Sequence, residues 1–234
     1  MRRSVLILSI FLIIAVNAVF AQSILDLRIG STVSGNLNSD QIIWYRVRAA
    51  QDCILIVETL GSVDTYLDVC DNQQNVLFSN DDQPNDNNAK IEMLAIAGET
   101  YLFKLRGYSS EDTGPFRISA SQKSIPRTPD LPVTVITLQT RNGNIERGGE
   151  YWFTVKPSTV GMLVVETSGD TDTYLTAYSE NGFIMENDDG GLGGNARISI
   201  DVKKPGVVYL FKLTGYDSDV RGPYSISATL SVRN

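Results

Sequence analysis

Two stretches of the chain gather oxygen-bearing side chains in the same order. In the first, Asp64 opens the segment Asp64-Thr65-Tyr66-Leu67, and Asn80-Asp81-Asp82 and Asn85-Asp86-Asn87-Asn88 follow. In the second, Asp170 and Asp172 lead into Thr173-Tyr174-Leu175. Asn187-Asp188-Asp189, a glycine run over Gly190, Gly191, Gly193 and Gly194, and Asn195 come after. Calcium takes about six to eight oxygens from carboxylates, amides and backbone carbonyls on flexible loops. Glycines let a backbone turn its carbonyls inward. Asp64, Asn80, Asp81 and Asp82, with Asp170, Asp172, Asn187, Asp188 and Asp189, are therefore candidate Ca2+ ligands. A second reading fits the same residues: Asp and Asn are the ordinary material of tight turns, where their side chains bond their own backbone.

Other chemistry is constrained by what the chain lacks. It contains no histidine, which removes the commonest general base, zinc ligand and near-neutral pH switch together. A Ser or Cys triad then has no usual base. Asp112-Thr113-Gly114 matches a short aspartic-peptidase signature, but Val220-Arg221-Gly222 stands at the corresponding place later, so no second aspartate completes a proton-sharing pair. The glycine run is not followed by Gly-Lys-Ser/Thr and is no phosphate loop. The formal charge is −7, and removal of Arg2 and Arg3 with a leader takes it to −9. An acidic chain without a basic cluster is a poor partner for nucleic acid.

The two cysteines, Cys53 and Cys70, admit two states. A tight turn at Gly61-Ser62 that pairs Leu60 with Val63 places them opposite one another on neighbouring strands, close enough to bridge. Export favours that oxidation. The same register sets Gly161 against Tyr178, a glycine covered by a cross-strand aromatic. The alternative is two unpaired buried thiols. Tyr108 and Tyr216, beside glycines at strand ends, are candidates for a ligand face that stacks on sugar or grips peptide. Trp44, Trp152, Phe103 and Phe211 alternate within their strands and are expected in the core.

The positioning elements are short runs of Val, Ile, Tyr, Phe and Thr separated by Gly, Asn, Asp and Pro, which is the pattern of an all-β sandwich. Cys53 to Val57 is apolar on both faces and is expected to be a central strand. The pattern occurs twice. Trp44 and Trp152 are 108 positions apart, and Tyr101-Leu102-Phe103-Lys104-Leu105 with Gly107-Tyr108 returns as Tyr209-Leu210-Phe211-Lys212-Leu213 with Gly215-Tyr216. That offset exceeds the roughly 20–50 residues of solenoid repeats and matches one small domain. Residues 1–21 read as a signal peptide, with Met1-Arg2-Arg3, an apolar stretch and Val19-Phe20-Ala21. The apolar stretch falls short of the roughly 20 residues that span a bilayer, so no membrane span is expected after cleavage. The domains are expected at 22–122 and 133–234. Between them, 123–132 is a Pro-rich linker on which the two halves would hinge.

Several of these motifs together are specific: Asp-Thr-Tyr-Leu, Asn-Asp-Asp, a polar loop, Lys/Arg-Ile, Tyr-x-Phe-x-Leu-x-Gly-Tyr and Gly-Pro-Phe/Tyr-x-Ile-Ser-Ala. Both copies resemble the bacterial pre-peptidase C-terminal domain and are similar to the collagen-binding domains of clostridial collagenases. The resemblance implies tandem antiparallel, jelly-roll-like β-sandwiches that are non-catalytic and assist secretion or substrate binding. The acidic N-terminal calcium segment of the collagen-binding relatives has no counterpart, since Asp26 is the only carboxylate from Gln22 to Ser34. The functional expectation is a secreted or periplasmic, non-enzymatic module that binds extracellular protein or polysaccharide, aided by calcium. The alternative is a structural or chaperone-like partner of a separately encoded secreted peptidase.

Overall fold

The computed structural model describes residues 23–83, 86–126, 129–130 and 139–232 of the 234-residue chain. The expected signal segment, Asn85, Arg127, Thr128, Leu131 and Pro132 of the central linker and the first residues of the second domain lie outside them. The described residues contain strands and no α-helix, and the strands form four sheets that pair into two sandwiches.

In the first domain one sheet has the order β1 (Ile24–Asp26), β3 (Ile43–Arg48), β8 (Thr100–Gly107), β5 (Thr65–Cys70), β6 (Val76–Asn80). Its partner sheet runs β2 (Ser31–Leu37), β9 (Gly114–Ser124), β4 (Cys53–Gly61), β7 (Lys90–Ala95). The second domain repeats both orders. One sheet is β11 (Tyr151–Val155), β16 (Tyr209–Gly215), β13 (Thr173–Ser179), β14 (Gly182–Asn187). The other is β10 (Gln139–Ile145), β17 (Gly222–Val232), β12 (Gly161–Ser168), β15 (Arg197–Val202). Every named pairing is antiparallel except β1 with β3. Asp130 makes the matching parallel bridge to Thr154 in the second domain, so the end of the linker docks where β1 docks in the first.

Alternation decides what each sheet buries. Tyr45 and Val47 on β3, Phe103 and Leu105 on β8, Leu55 and Val57 on β4, and Ile91 and Met93 on β7 point between the first pair of sheets. Leu163, Val165, Phe211, Leu213 and Ile226 do the same in the second. Each such side chain contributes about 1.5–3 kcal/mol when fully buried.

The other face of β4 is also apolar, and its use is not internal to the domain. Ile54 and Ile56, with Leu94 of β7, pack against Trp152, Tyr178 and Leu210 of the second domain, where Trp152 and Tyr178 stack at 6.1 Å. Gly182 completes this contact, because a Cβ there would lie 2.7 Å from the Phe78 ring. The two sandwiches therefore meet through a dry apolar layer, beyond the hinge that the linker alone suggests. Both tryptophans are buried, but on outer sheet faces. Trp152 is in the interdomain layer, and Trp44 is with Cys70 and Leu102 on the far side of the first domain, while Phe103 and Phe211 occupy the cores.

Candidate functional site

The acidic loops are held by a pair of buried threonines in each domain. Thr59 and Thr65 hydroxyls are 2.5 Å apart, and the Ala89 N–H donates to both, at 2.9 and 3.1 Å. Thr167, Thr173 and Ala196 repeat the arrangement at 2.6, 2.9 and 3.1 Å. This fixes the start of β5 or β13, just after Asp64 or Asp172, against the end of the loop that leads into β7 or β15. The 108-residue offset carried these threonines, yet their hydroxyls read as ordinary strand residues until the sheets are assembled.

Within the loops the candidate ligands divide into two groups. Asn80 and Asn187 act as braces: Asn80 Oδ1 accepts from the Lys90 N–H at 2.8 Å, and Asn187 Oδ1 accepts from Gly190 and Arg197 at 2.7 and 2.9 Å. Asp64 behaves differently. Asn87 Nδ2 donates to its Oδ2 at 3.0 Å, while Oδ1 is buried with no hydrogen-bond partner. Asn88 and Asn195 are buried, their Nδ2 groups serve the Gly61 and Gly169 carbonyls, and each Oδ1 is buried without a partner. Burial raises the Asp64 carboxyl above the usual range, and the charges of Asp112, Asp82 and Asp81 add to this against the Asn87 bond. Asp172 is raised for the same reasons, burial first and then Asp189, Asp188 and Asp217. Asp170 lines an open pocket with Gly190, Gly191 and Asn195. Among the described residues no three carboxylates or thiols come close enough together to hold a metal ion. The carboxylates thus feel one another's charge without converging on one point.

The proposed cysteine pairing is overturned. Cys53 and Cys70 are both free and buried. Cys53, on β4, faces Ala95 and Ser124 and points into the core, whereas Cys70, on β5, faces Val76 and Leu102 in the other sheet and packs with Trp44 on its outer side. β4 is paired along both edges, by β7 and β9, so no edge is left for a hairpin with β5. Gly161 and Tyr178 are separated in the same way, on β12 and β13. Burial pushes both thiols up, that of Cys70 to about 11, with Asp68 adding to it.

The tyrosine candidates are at the surface: Tyr108 is 56% and Tyr216 57% exposed. In the first domain the Arg106 guanidinium lies 3.8 Å over the Tyr66 ring, and Tyr66 and Tyr108 are 6.4 Å apart. Arg106 also donates to the Gly107 and Tyr108 carbonyls at 3.0 and 3.2 Å, which fixes the platform beside a pocket lined by Asp40, Gln41 and Ser109. The second domain has Thr214 where the first has Arg106, and there the Tyr174 hydroxyl donates to Glu186 at 2.7 Å. Asp112 is not poised for catalysis: its carboxylate accepts from the Ser109 N–H and hydroxyl at 2.8 and 2.6 Å and closes a turn.

No family model and no curated protein matches this chain. Solved structures do match. The pre-peptidase C-terminal domain of collagenase from Bacillus anthracis aligns at 17% identity over 43% of this chain and 96% of its own, with a TM-score of 0.37. PliG from Aeromonas hydrophila, a periplasmic inhibitor of g-type lysozyme, aligns at 16% identity over 43% of this chain and 97% of its own, with a TM-score of 0.33. A protein of Eubacterium rectale described as secreted covers 84% of this chain and 72% of its own at 12% identity and a TM-score of 0.29. These are all-β proteins or domains, two of them described as periplasmic or secreted. Among the described residues, no helix is long and apolar enough to cross a membrane.

Proposed function

We propose that this is an exported, non-catalytic binding protein whose two sandwiches present ligand faces to extracellular protein or polysaccharide. The observation that carries the reading is the Tyr66–Arg106–Tyr108 platform. Tyr108 is exposed and Tyr66 and Arg106 are half-buried beneath it, and the stacked guanidinium with two backbone carbonyls holds the platform in place. A preorganised aromatic surface stacks on a sugar ring or a peptide side chain at low entropic cost. Tyr216 offers a second, simpler contact at the equivalent place. The test is retention of the exported form on immobilised matrix protein and on insoluble polysaccharide. Tyr108→Ala is expected to weaken retention about tenfold, and Tyr216→Ala less. Retention that is unchanged in both variants, or a complex with a co-secreted peptidase alone, sets the reading aside.

Calcium belongs to this proposal as a stabiliser of the loops. Asp64 Oδ1, Asn88 Oδ1 and Asn195 Oδ1 are buried acceptors lacking donors, and orphaned oxygens of this kind suit a hard cation. Asp64 with Asp81 and Asp82, and Asp172 with Asp188 and Asp189, would supply the charge. Calorimetry of the exported protein in calcium and then in chelator tests it, because a ligand that binds only the folded state raises the melting temperature.

A further inference from the structure

A concave opening lies at the β1 edge of the first domain, away from both the tyrosines and the acidic loops. It is an open pocket of about 710 Å³ lined by Asp26, Arg28, Arg46, Arg48, Thr100 and Gln122, among others. The parallel pairing of β1 with β3 sets Asp26 beside Arg46. Arg46 and Arg48, two apart on one strand, project from the same face roughly 7 Å apart. Arg46 is engaged by Asp26 through two guanidinium nitrogens, the longer contact being 3.3 Å. The guanidinium groups of Arg28 and Arg48 make no hydrogen bond or ion pair among the described residues, although the charge of Arg28 also reaches Asp26. Two unpaired guanidinium groups therefore share one concave site on a chain whose net charge is −7.

The second domain is an internal control. Its positions equivalent to Arg46, Arg48, Thr100 and Gln122 are Thr154, Lys156, Val208 and Leu230, while the aspartate is kept as Asp130, which accepts from the Thr154 hydroxyl. The fold thus does not require the arginines: the same parallel docking forms with a threonine. The arginine lining belongs to one copy of a common scaffold, and the other keeps only Lys156 at the Arg48 place.

We propose that this pocket binds the carboxylate or sulfate groups of an acidic polysaccharide. Guanidinium presents a planar fork of donors that matches such oxyanions, and two of them lack a protein carboxylate. Asp26, Thr100 and Gln122 add acceptors and donors suited to sugar hydroxyls. Of the two large apolar side chains in the lining, Leu27 is buried and Ile29 half-buried under the first core, so neither stands open as the kind of anchor that grips a peptide. The proposal rests on the polysaccharide half of the function proposed above and names its chemical class.

The test measures binding of the exported protein to polygalacturonate, chondroitin sulfate and neutral dextran at fixed ionic strength. The expected result is saturable binding to one or both acidic polymers and none to dextran, with R28Q and R48Q each weakening it about tenfold and K156Q leaving it unchanged. The polymer preferred separates carboxylate from sulfate as the group recognised. Acidic-polymer binding that survives R28Q and R48Q overturns the site and leaves the broader binding reading standing. Dextran binding lost only in Tyr108→Ala overturns it too while supporting the tyrosine face. Stronger binding to polyglutamate than to either polysaccharide overturns the glycan assignment.

Discussion

At the scale of single residues, Asp64 is the most informative group, because its environment works against its charge. A carboxyl whose folded pKa is raised binds protons more readily in the folded state than in the unfolded one, so its contribution to stability falls as pH rises through that range. In calcium-free buffer, Asp64→Asn is therefore expected to melt with wild type below about pH 4, the ordinary carboxylate range. It should melt progressively higher than wild type as pH rises above that, since only wild type carries the ionised group. Calcium should reverse the order at neutral pH. A thermal-melt series across pH with and without the cation checks both parts. The cysteines give a second outcome: both should be reduced and silent to thiol reagents in the native protein, and both should react on unfolding. The two thiols were legible as residues, but their partnership was not. The sequence shows which side chains are apolar and where turns occur, whereas whether a chain turns back within a sheet or crosses to the opposite one depends on which strand edges are free. Cys53 to Val57 is apolar on both faces, a sign that β4 is central, and a central strand has no edge to offer β5. The acidic loops were legible as loops. That Asn80 and Asn187 spend their oxygens on backbone N–H groups while Asn88 and Asn195 do not became visible only with the loop closed.

At the scale of elements, the threonine pairs join strand to loop. Thr59→Val keeps the shape of the side chain but leaves the Ala89 N–H and the Thr65 hydroxyl short of a partner inside the sandwich. The expected cost is about 1–3 kcal/mol by chemical denaturation. Thr59→Val combined with Thr65→Val should cost more than the sum of the two single changes, because each single variant leaves the Ala89 N–H one threonine oxygen to bond and the double variant leaves it none. Thr167→Val should act equally on the second domain. The strands themselves were the most legible part of the fold, since apolar runs such as Cys53 to Val57 and Tyr101 to Leu105, set off by turn residues, mark the central ones in both copies. The short β1 was not, because three residues carry no period of their own and gain order only by pairing with β3.

At the scale of the molecule, the interdomain layer makes two homologous sandwiches into one mechanical unit. Leu94 is 2% exposed within it, and truncating a buried leucine costs about 2–5 kcal/mol. Leu94→Asp, which adds an unpaired charge, should split a single calorimetric transition into two and lengthen the particle in small-angle scattering. A one-transition profile in the variant would show that the layer is not what couples the unfolding of the two domains.

The same layer bears on self-assembly. The first domain buries Ile54, Ile56 and Leu94 under the second, and the second carries Met162, Val164 and Asp201 at the corresponding places. Trp44, Cys70 and Leu102 of the first domain correspond to Trp152, Tyr178 and Leu210. A neighbouring molecule that repeated the internal contact would set its Trp44 face on the Met162 face, and contacts of that head-to-tail kind do not close but grow into filaments. Asp201 stands in the way, because its carboxylate, tied to Lys203, would have to be stripped of water beneath a tryptophan. One aspartate in place of a leucine thus guards a duplicated protein against polymerising through its own duplication.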